Sequence, residues 1–321
     1  MTQQTATGGR PARRSPRRTS FIGDILKNPI SYALALPAIV FTFLFGYLTL
    51  PYIAIAFENF NYQTGILGSP FVGFKNFLFF FTSNRAALVT VNTVVLNVLS
   101  IGFGTAIALV VSLMLNEVRS RGFLKASQSV MIFPNFLSWV IVSYIVYALL
   151  ATDRGLINVT LRALGQKNIN WYASPSYWRG ILTVIRVWKS FGMSSVIYLA
   201  AITAIDEGLY EAARIDGASR VHCIRHITLP LLMPTVCILM LMSVGKIFYG
   251  DFQMMYTIVR DNGLLLPVTD VIDTYVYRAL RTTGDPSGSM AVGLYQAAVG
   301  FVMVYGSNWL VKRLFPEGAL F

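Results

Sequence analysis

Three cationic side chains within otherwise apolar stretches are the residues of this sequence best suited to bind a ligand. Arg186 and Lys189 stand three positions apart, so a helix would place both on one face, and Lys246 lies in a later apolar stretch. Charges in such stretches are costly unless they face a water-filled cavity. Because Arg and Lys pair with carboxylates, the sequence predicts a cavity for a polar or anionic ligand. For Lys246 the alternative is equally open, since its long side chain could reach lipid headgroups.

Neighbouring polar and aromatic residues extend this candidate ligand path. Aromatic rings offer flat apolar faces, while amides and hydroxyls offer hydrogen bonds. The additional path residues are Trp188, Met193, Ser243, Tyr249 and Gln253.

A second segment with functional potential, residues 206–228, carries far more charge and pattern than a simple connection needs. Asp206 can cap a first helix, and Gly217 can end that helix in the left-handed conformation. Ser219 can cap a second helix, and Pro230 is expected to interrupt it. The segment therefore predicts two short amphipathic helices at an angle, which we call the knob.

The composition predicts that membrane-spanning helices position these residues. Of the 321 residues, 55% are hydrophobic and only 12% are charged, whereas about a quarter are charged in ordinary soluble domains. A spanning helix needs roughly 20 mainly apolar residues. Six stretches reach or approach that length: Ser31 to Phe57, Leu88 to Leu115, Ser127 to Leu150, Gly180 to Ile205, Leu229 to Gly250 and Met290 to Leu314. The predicted fold class is all-α and integral to the membrane, with six transmembrane helices and the knob between the fourth and fifth.

Basic residues between the predicted spans indicate the orientation. Of the 26 lysines and arginines, 14 lie in the amino-terminal tail, the connections after spans two and four, and the carboxyl terminus, while nine lie in the alternate connections. Basic segments beside spans tend to remain cytoplasmic, which predicts that both termini and the knob are cytoplasmic. Residues 1–20 are predicted to be a disordered basic tail, and residues 21–321 a single transmembrane domain.

Several other functions lack the residues that they require. The net charge of +12 arises mostly from connections between spans, so no nucleic-acid partner is expected. The sequence has no Gly-rich loop ending in Gly-Lys-Ser or Gly-Lys-Thr, and hence no recognisable ATP site of its own. It also lacks the paired carboxylates, or the nucleophile with a base, that would indicate an enzyme. His222 and His226 without a third ligand make an incomplete site, so no metal is expected.

The spacing of residues within and after the knob resembles a known family. The order is Glu211, Ala212, Ala213, then Asp216 and Gly217, then nine residues, and finally Ile227, Thr228, Leu229 and Pro230. This pattern looks like the EAA loop of binding-protein-dependent ABC importers, with every defining position filled. Tyr198 to Asp206 is similar to the carbohydrate branch of that family. Gly68 to Phe77 and Asn168 to Trp188 resemble its oligosaccharide and aldouronate permeases, including the alginate importer.

The resemblance implies a coupling role for the knob, which in such importers sits in a cleft on a separate ATPase. By this resemblance the coupling residues are Glu211, Ala212, Ala213, Asp216, Gly217, Ile227, Leu229 and Pro230. The implied partners are a second homologous permease subunit, an ATPase homodimer that holds ATP and Mg, and an extracytoplasmic solute-binding protein. The chain itself is expected to hold no cofactor, to be no enzyme, and to lie in the bacterial cytoplasmic (inner) membrane as a multi-pass protein.

The candidate path and the resemblance together predict a carbohydrate substrate. Substrate contacts in this family come from the middle of spans four and five, which overlaps the path residues. Because the cations can pair with carboxylates, we expect an acidic saccharide such as a uronate oligomer. The main alternative is an ion-coupled secondary sugar transporter, a class that typically has acidic coupling residues near the midplane. No Asp or Glu lies within a predicted span.

Overall fold

The structure, a computed structural model, describes residues 27–314, and every regular element within that range is a helix. The all-α fold class is confirmed for these residues. The predicted disordered tail, residues 1–20, and both chain termini lie outside them. The α-helices are α1 (Pro29–Thr42), α2 (Gly65–Gly68), α3 (Lys75–Thr82), α4 (Asn84–Asn116), α5 (Arg121–Phe136), α6 (Trp139–Leu150), α7 (Leu156–Ala163), α8 (Trp178–Thr203), α9 (Glu207–Ile215), α10 (Arg220–Cys223), α11 (Leu229–Val244), α12 (Phe252–Ile258), α13 (Leu266–Thr269), α14 (Ile272–Arg278) and α15 (Pro286–Leu314). π-Helical turns cover Phe43–Tyr47, Ile224–Thr228 and Ala279–Thr283, and 3-10 turns cover Leu50–Phe57, Trp171–Ala173 and Pro175–Tyr177.

Residues 27–314 contain four to six candidate membrane spans. Four helical segments are long and apolar enough: Pro29–Phe57, Arg85–Asn116, Arg220–Val244 and Pro286–Arg313. Two bent pairs raise the number to six if each pair is one span: Arg121–Phe136 with Trp139–Leu150, and Pro175–Thr203 with Glu207–Ile215. Each of the six predicted stretches overlaps one of these segments. The described residues divide into two compact units, one ending at Ile53 and the other beginning at Ala54; α1 belongs to the first, and the elements discussed below belong to the second.

The third predicted span is a broken helix. Helix α5 ends at Phe136, α6 begins at Trp139, and the two axes are bent by 99°. Pro134 lies in the last turn of α5, and the Ser138 hydroxyl caps α6 by accepting from the Ile141 amide at 3.3 Å. The break leaves carbonyl groups at the end of α5 that need other partners.

Helix α8 is the central element of the second unit, and it packs along α4 and against α5. Its side chains Trp178, Leu182 and Tyr198 are almost fully buried. The approach to α5 is close because Gly192 has no side chain: a Cβ there would lie 1.9 Å from the Met131 carbonyl oxygen. Small residues commonly permit such contacts between helices in a membrane.

The two ends of α8 define two ends of this unit. The 26 residues of the helix extend about 39 Å by helical rise. The knob follows its last turn, and we call this side the knob end. At the other side, the loop end, residues 251–285 fold back onto the start of α8, where Met254, Leu265 and Val271 share a hydrophobic core with Trp178. This long connection is therefore a packed part of the unit.

Candidate functional site

The knob begins with the predicted helix and turn. The Asp206 carboxylate accepts from the Gly208 amide at 3.0 Å and so caps α9. Gly217 ends the segment with φ +79°, a conformation that glycine adopts without steric cost. The Ser219 hydroxyl then accepts from the His222 amide at 3.3 Å and caps α10. Both predicted caps and the left-handed stop are confirmed.

The predicted interruption at Pro230 is wrong, because α10 continues into α11 as one helical segment, Arg220–Val244. A proline inside a helix clashes with the carbonyl four residues earlier and donates no hydrogen bond. The π-helical turn Ile224–Thr228 precedes this proline, and the Leu229 amide donates to the Ile224 carbonyl five residues back. Such a local π-turn is one of the ways in which a helix absorbs a disruption, so the helix passes through Pro230 without ending.

The predicted coupling residues occupy the knob and the start of α11. Exposed members are Glu211, Ala212, Asp216, Gly217 and Pro230, while Ala213, Ile227 and Leu229 are half-buried. Ile215 and Val221 beside them are 87% and 72% exposed. Apolar side chains exposed close together often mark a contact surface for a protein. Val221 is among the apolar residues predicted at helical spacing in the second knob helix, whereas Ile215 was missed because it lies outside the spaced pattern.

Polar contacts connect the two halves of the knob and join it to the rest of the unit. The Tyr210 and Thr228 hydroxyls lie 3.0 Å apart and connect α9 to the π-helical turn. Arg220 donates to Glu117, just after α4, at 3.1 Å. Both partners of this ion pair are well exposed, so it contributes little to stability, but it joins the knob to a second candidate span.

A cavity of about 440 Å³ contains part of the predicted ligand path, and we call it the cationic cavity. Its lining residues are Asn97, Ser100, Ile101, Gly104, Thr105, Asn135, Trp139, Arg186, Lys189, Ser190, Ser194, Ser243, Lys246 and Asp251. Four predicted path residues belong to this set, and four do not: Trp188, Met193, Tyr249 and Gln253. The face that α8 presents to the cavity carries Arg186, Lys189, Ser190 and Ser194, and helical geometry turns Trp188 to another face. Met193 follows Arg186 by seven positions and shares its face, but it does not line the cavity.

Arg186 is held by an asparagine that the sequence analysis did not single out. Its guanidinium donates to the Asn97 side-chain oxygen at 2.8 Å. The amide nitrogen of Asn97 in turn donates to the carbonyls of Ile247 at 2.9 Å and Tyr249 at 3.2 Å. Asn97 thus connects α4, α8 and the turn after α11. The available signal was a polar side chain within an apolar stretch, which is costly without partners.

Lys189 supplies partners for the broken helix. Its ammonium donates to the Asn135 carbonyl at 2.8 Å and lies 3.4 Å from the Pro134 carbonyl. It also stands 5.2 Å from the centre of the Trp139 ring, within range of a cation-π contact. The Pro134 carbonyl also accepts from the Leu137 amide at 3.2 Å. A cation from α8 therefore adds a partner for the carbonyls at the break between α5 and α6, as irregular backbone beside a cavity requires.

Lys246 lies outside a helix, because α11 ends at Val244 and residues 245–248 form turns. It follows the candidate span Arg220–Val244 by two residues, and it lines the cationic cavity with Ser243. Asp251, beyond the predicted span, lines it too. The cavity therefore combines three cations with one carboxylate and favours anionic ligands.

This chain is similar to known proteins over most of its length. Residues 100–316 match the family described as binding-protein-dependent transport system inner membrane component. The polygalacturonan/rhamnogalacturonan transport system permease protein YteP of Bacillus subtilis (strain 168) is 36% identical over 305 residues, 95% of this chain and 94% of that protein.

Two solved structures are similar over nearly the whole chain. One is a bacterial ABC transporter involved in the import of the acidic polysaccharide alginate, with a TM-score of 0.83 and 32% identity, covering 91% of this chain and 98% of the other. The second is a bacterial alginate ABC transporter in complex with an alginate pentasaccharide-bound periplasmic protein, with a TM-score of 0.82 and 32% identity, covering 92% and 98%. These findings confirm the resemblance noted in the knob: the chain belongs to the family of binding-protein-dependent transport system inner membrane components.

Proposed function

We propose that this chain is a permease subunit of an ATP-driven importer of acidic oligosaccharide or polysaccharide. The observation that carries the proposal is the cationic cavity, in which Arg186, Lys189 and Lys246 line one polar space. Guanidinium and ammonium groups pair with carboxylates such as those of uronates. Hydroxyl and amide groups from Ser190, Ser194 and Asn135 would form hydrogen bonds with the neutral hydroxyls of the sugar.

The relatives support this substrate class. The Bacillus subtilis relative is named for polygalacturonan and rhamnogalacturonan, and the similar solved transporter imports alginate, an acidic polysaccharide. The cavity of this chain has the charge that such polymers require. We therefore assign it a uronate-bearing substrate, which enters from the loop end and passes along α8.

Coupling to ATP is assigned to the knob. Its exposed side chains Glu211, Ile215 and Val221 combine an apolar surface with a carboxylate, which suits a cleft on a separate ATPase that offers a basic residue. ATP and Mg would be bound by the ATPase homodimer, and this chain would act as the transport subunit without catalysis of its own. Since Arg220–Val244 is one helix, a shift of the knob would move α11.

The proposed assembly contains a second homologous permease subunit and a solute-binding protein, the latter supported by the similar alginate transporter with its bound periplasmic protein. The chain would lie in the cytoplasmic membrane with six spans, both termini and the knob being cytoplasmic. Transport would alternate between two states whose populations depend on the differential affinity of ATP and of the loaded binding protein. An ion-coupled carrier is not favoured, since such a carrier has no use for a knob of this pattern.

The test is reconstitution of the chain with its ATPase, its second permease and its binding protein in proteoliposomes. Wild type is expected to import uronate oligomers when ATP is supplied inside. Glu211→Lys, which reverses the charge on the exposed face of α9, is expected to insert normally but to lose most of the uptake. ATP hydrolysis and oligomer uptake are measured on the same samples.

The matched control is Asp153→Lys, the same charge change at an exposed position of the loop end, where uptake should stay normal. Normal uptake by well-inserted Glu211→Lys would remove the knob from the coupling path. Uptake by the chain alone, driven by an ion gradient without ATP, would contradict the importer and favour a secondary carrier.

A further inference from the structure

A second cavity of about 440 Å³ lies at the loop end, beside α6. Arginine, tyrosine and hydroxyl side chains dominate it, and we call it the arginine cavity. Its polar lining includes Ser143, Tyr144, Tyr256, Arg260, Asp261 and Arg281. Thr257, which also lines it, donates to the Trp139 carbonyl at 3.3 Å. Trp139 lines the cationic cavity. The start of α6 is therefore a wall common to both cavities.

Arg281 is positioned by aromatic rings. Its guanidinium donates to the Tyr256 hydroxyl at 3.0 Å and lies 6.0 Å from the centre of the Tyr277 ring. Phe252 stacks on Tyr256, with 5.3 Å between ring centres and 13° between planes, and Tyr277 packs edge-on against Tyr256 at 5.1 Å. The side chain of Arg281 is exposed, so the guanidinium is both fixed in place and open to a ligand.

Arg260 has an unusual backbone. Among residues 27–314 it is the one non-glycine residue with positive φ, at +56°. L side chains rarely adopt this conformation, and backbone strain of this kind concentrates at functional sites. Within the same range the Arg260 side chain is exposed and has no hydrogen-bond or ion-pair partner. A second guanidinium is thus available in the cavity.

The chemistry of this cavity suits an acidic sugar. A guanidinium can bind a carboxylate through two parallel hydrogen bonds, and the exposed ring of Tyr144 offers a face for the apolar side of a pyranose. The negative charge of Asp261 balances one of the two arginine charges, so the cavity lining keeps one positive charge in excess. A concave space of this volume lies in the range of small-ligand sites, whereas the surface of a protein partner would require a broader contact.

We propose that the arginine cavity is a second saccharide subsite, which binds a uronate unit of an oligosaccharide before or while another unit occupies the cationic cavity. This inference rests on the proposed function. Two cavities with one common wall imply a preference for oligomers long enough to reach both. Short oligomers would use one subsite at a time and gain nothing from the second.

The experiment compares uptake of a uronate disaccharide and a uronate hexasaccharide by the complete transporter in proteoliposomes. Arg260→Gln and Arg281→Gln are expected to raise the KM for the hexasaccharide about tenfold, the effect of losing one charge-assisted bond, and to leave the disaccharide unchanged. Arg281→Lys keeps the charge but loses the two-pronged geometry, and should fall between wild type and Arg281→Gln. Arg154→Gln removes an exposed arginine that does not line the cavity, and should change neither substrate.

The outcomes separate this inference from the proposed function. If wild type imports uronates and the two glutamine variants keep its length dependence, the second subsite is overturned while the proposed function stands. If these variants lose stimulation by the binding protein equally for acidic and neutral substrates, the cavity docks the binding protein and the subsite is likewise overturned. Absence of uronate uptake by wild type would overturn both.

Discussion

At the level of single residues, the geometry of the cationic cavity depends on Asn97. Its side chain is 2% exposed and bonds Arg186 together with two main-chain carbonyls. Asn97→Ala would leave these three groups without that partner. Each lost partner of a buried polar group costs about 1–3 kcal/mol. We expect a lower melting temperature in detergent and a loss of uronate uptake, measured on one preparation.

Ser100→Ala is the matched control, because Ser100 lines the same cavity and the change removes a hydroxyl from the same helix. It should lower neither stability nor uptake by a comparable amount. Equal effects of both substitutions would mean that Asn97 has no special part in positioning Arg186.

Local pattern predicts the knob well and the cavity poorly. The contacts of Asp206, Gly217 and Ser219 are with residues two or three positions away, so their roles can be predicted from the adjacent sequence. Asn97 meets Arg186 across 89 positions and the Ile247 carbonyl across 150. No local signal encodes such contacts, and the sequence shows only that a polar residue stands where apolar ones prevail.

Among the elements, the packing of α8 on α5 requires a glycine. A Cβ on Gly192 would lie 1.9 Å from the Met131 carbonyl oxygen, and backbone cannot yield as a flexible side chain can. Gly192→Ala should therefore separate the helices, shift Lys189 from the carbonyls of the break and reduce folded yield. The measurement is the fraction of monodisperse protein in size-exclusion chromatography after mild heating.

Gly180→Ala tests the same substitution on the same helix where nothing lies within 4 Å of the added Cβ. Alanine favours a helix over glycine by about 1 kcal/mol, so this variant should be at least as stable as wild type. A loss of folded protein for Gly180→Ala as large as for Gly192→Ala would contradict the role assigned to close packing.

The apolar stretches predicted the long helices, but not the break between α5 and α6. The sequence from Ser127 to Leu150 is mainly apolar and carries no charge, and periodicity alone describes it as one span. At the break, the carbonyls of Pro134 and Asn135 bond Lys189, a cation on another helix, and no local pattern shows this contact. At Pro230 the opposite holds. The local sequence predicts that this proline ends the helix, but the π-helical turn before it allows the helix to continue.

For the whole molecule, the excess of cations predicts a dependence on ionic strength. The chain carries a net charge of +12, and both cavities have more cations than carboxylates. Raising ionic strength from about 0.01 M to about 0.1 M shortens the screening length from about 30 Å to about 10 Å. We expect the KM for uronate oligomers to rise several-fold over this range in proteoliposome uptake, and the KM for a neutral oligosaccharide to stay constant.

Lys246→Gln removes one exposed cavity cation and should weaken this dependence on salt for the acidic substrate. If salt affected acidic and neutral substrates alike, the screened charges would belong to contacts between protein subunits, and the electrostatic account of substrate entry would be wrong.

The continuity of Arg220–Val244 has a mechanical consequence. Its 25 residues make a lever about 37 Å long by helical rise, with one arm in the knob and the other ending beside the cationic cavity. A tilt of about 10° at the ATPase would displace the far tip by about 6 Å, given that length. In the proposed transporter, the displacement that opens the sugar path would then depend on the length of this helix rather than on any chemical step near the substrate.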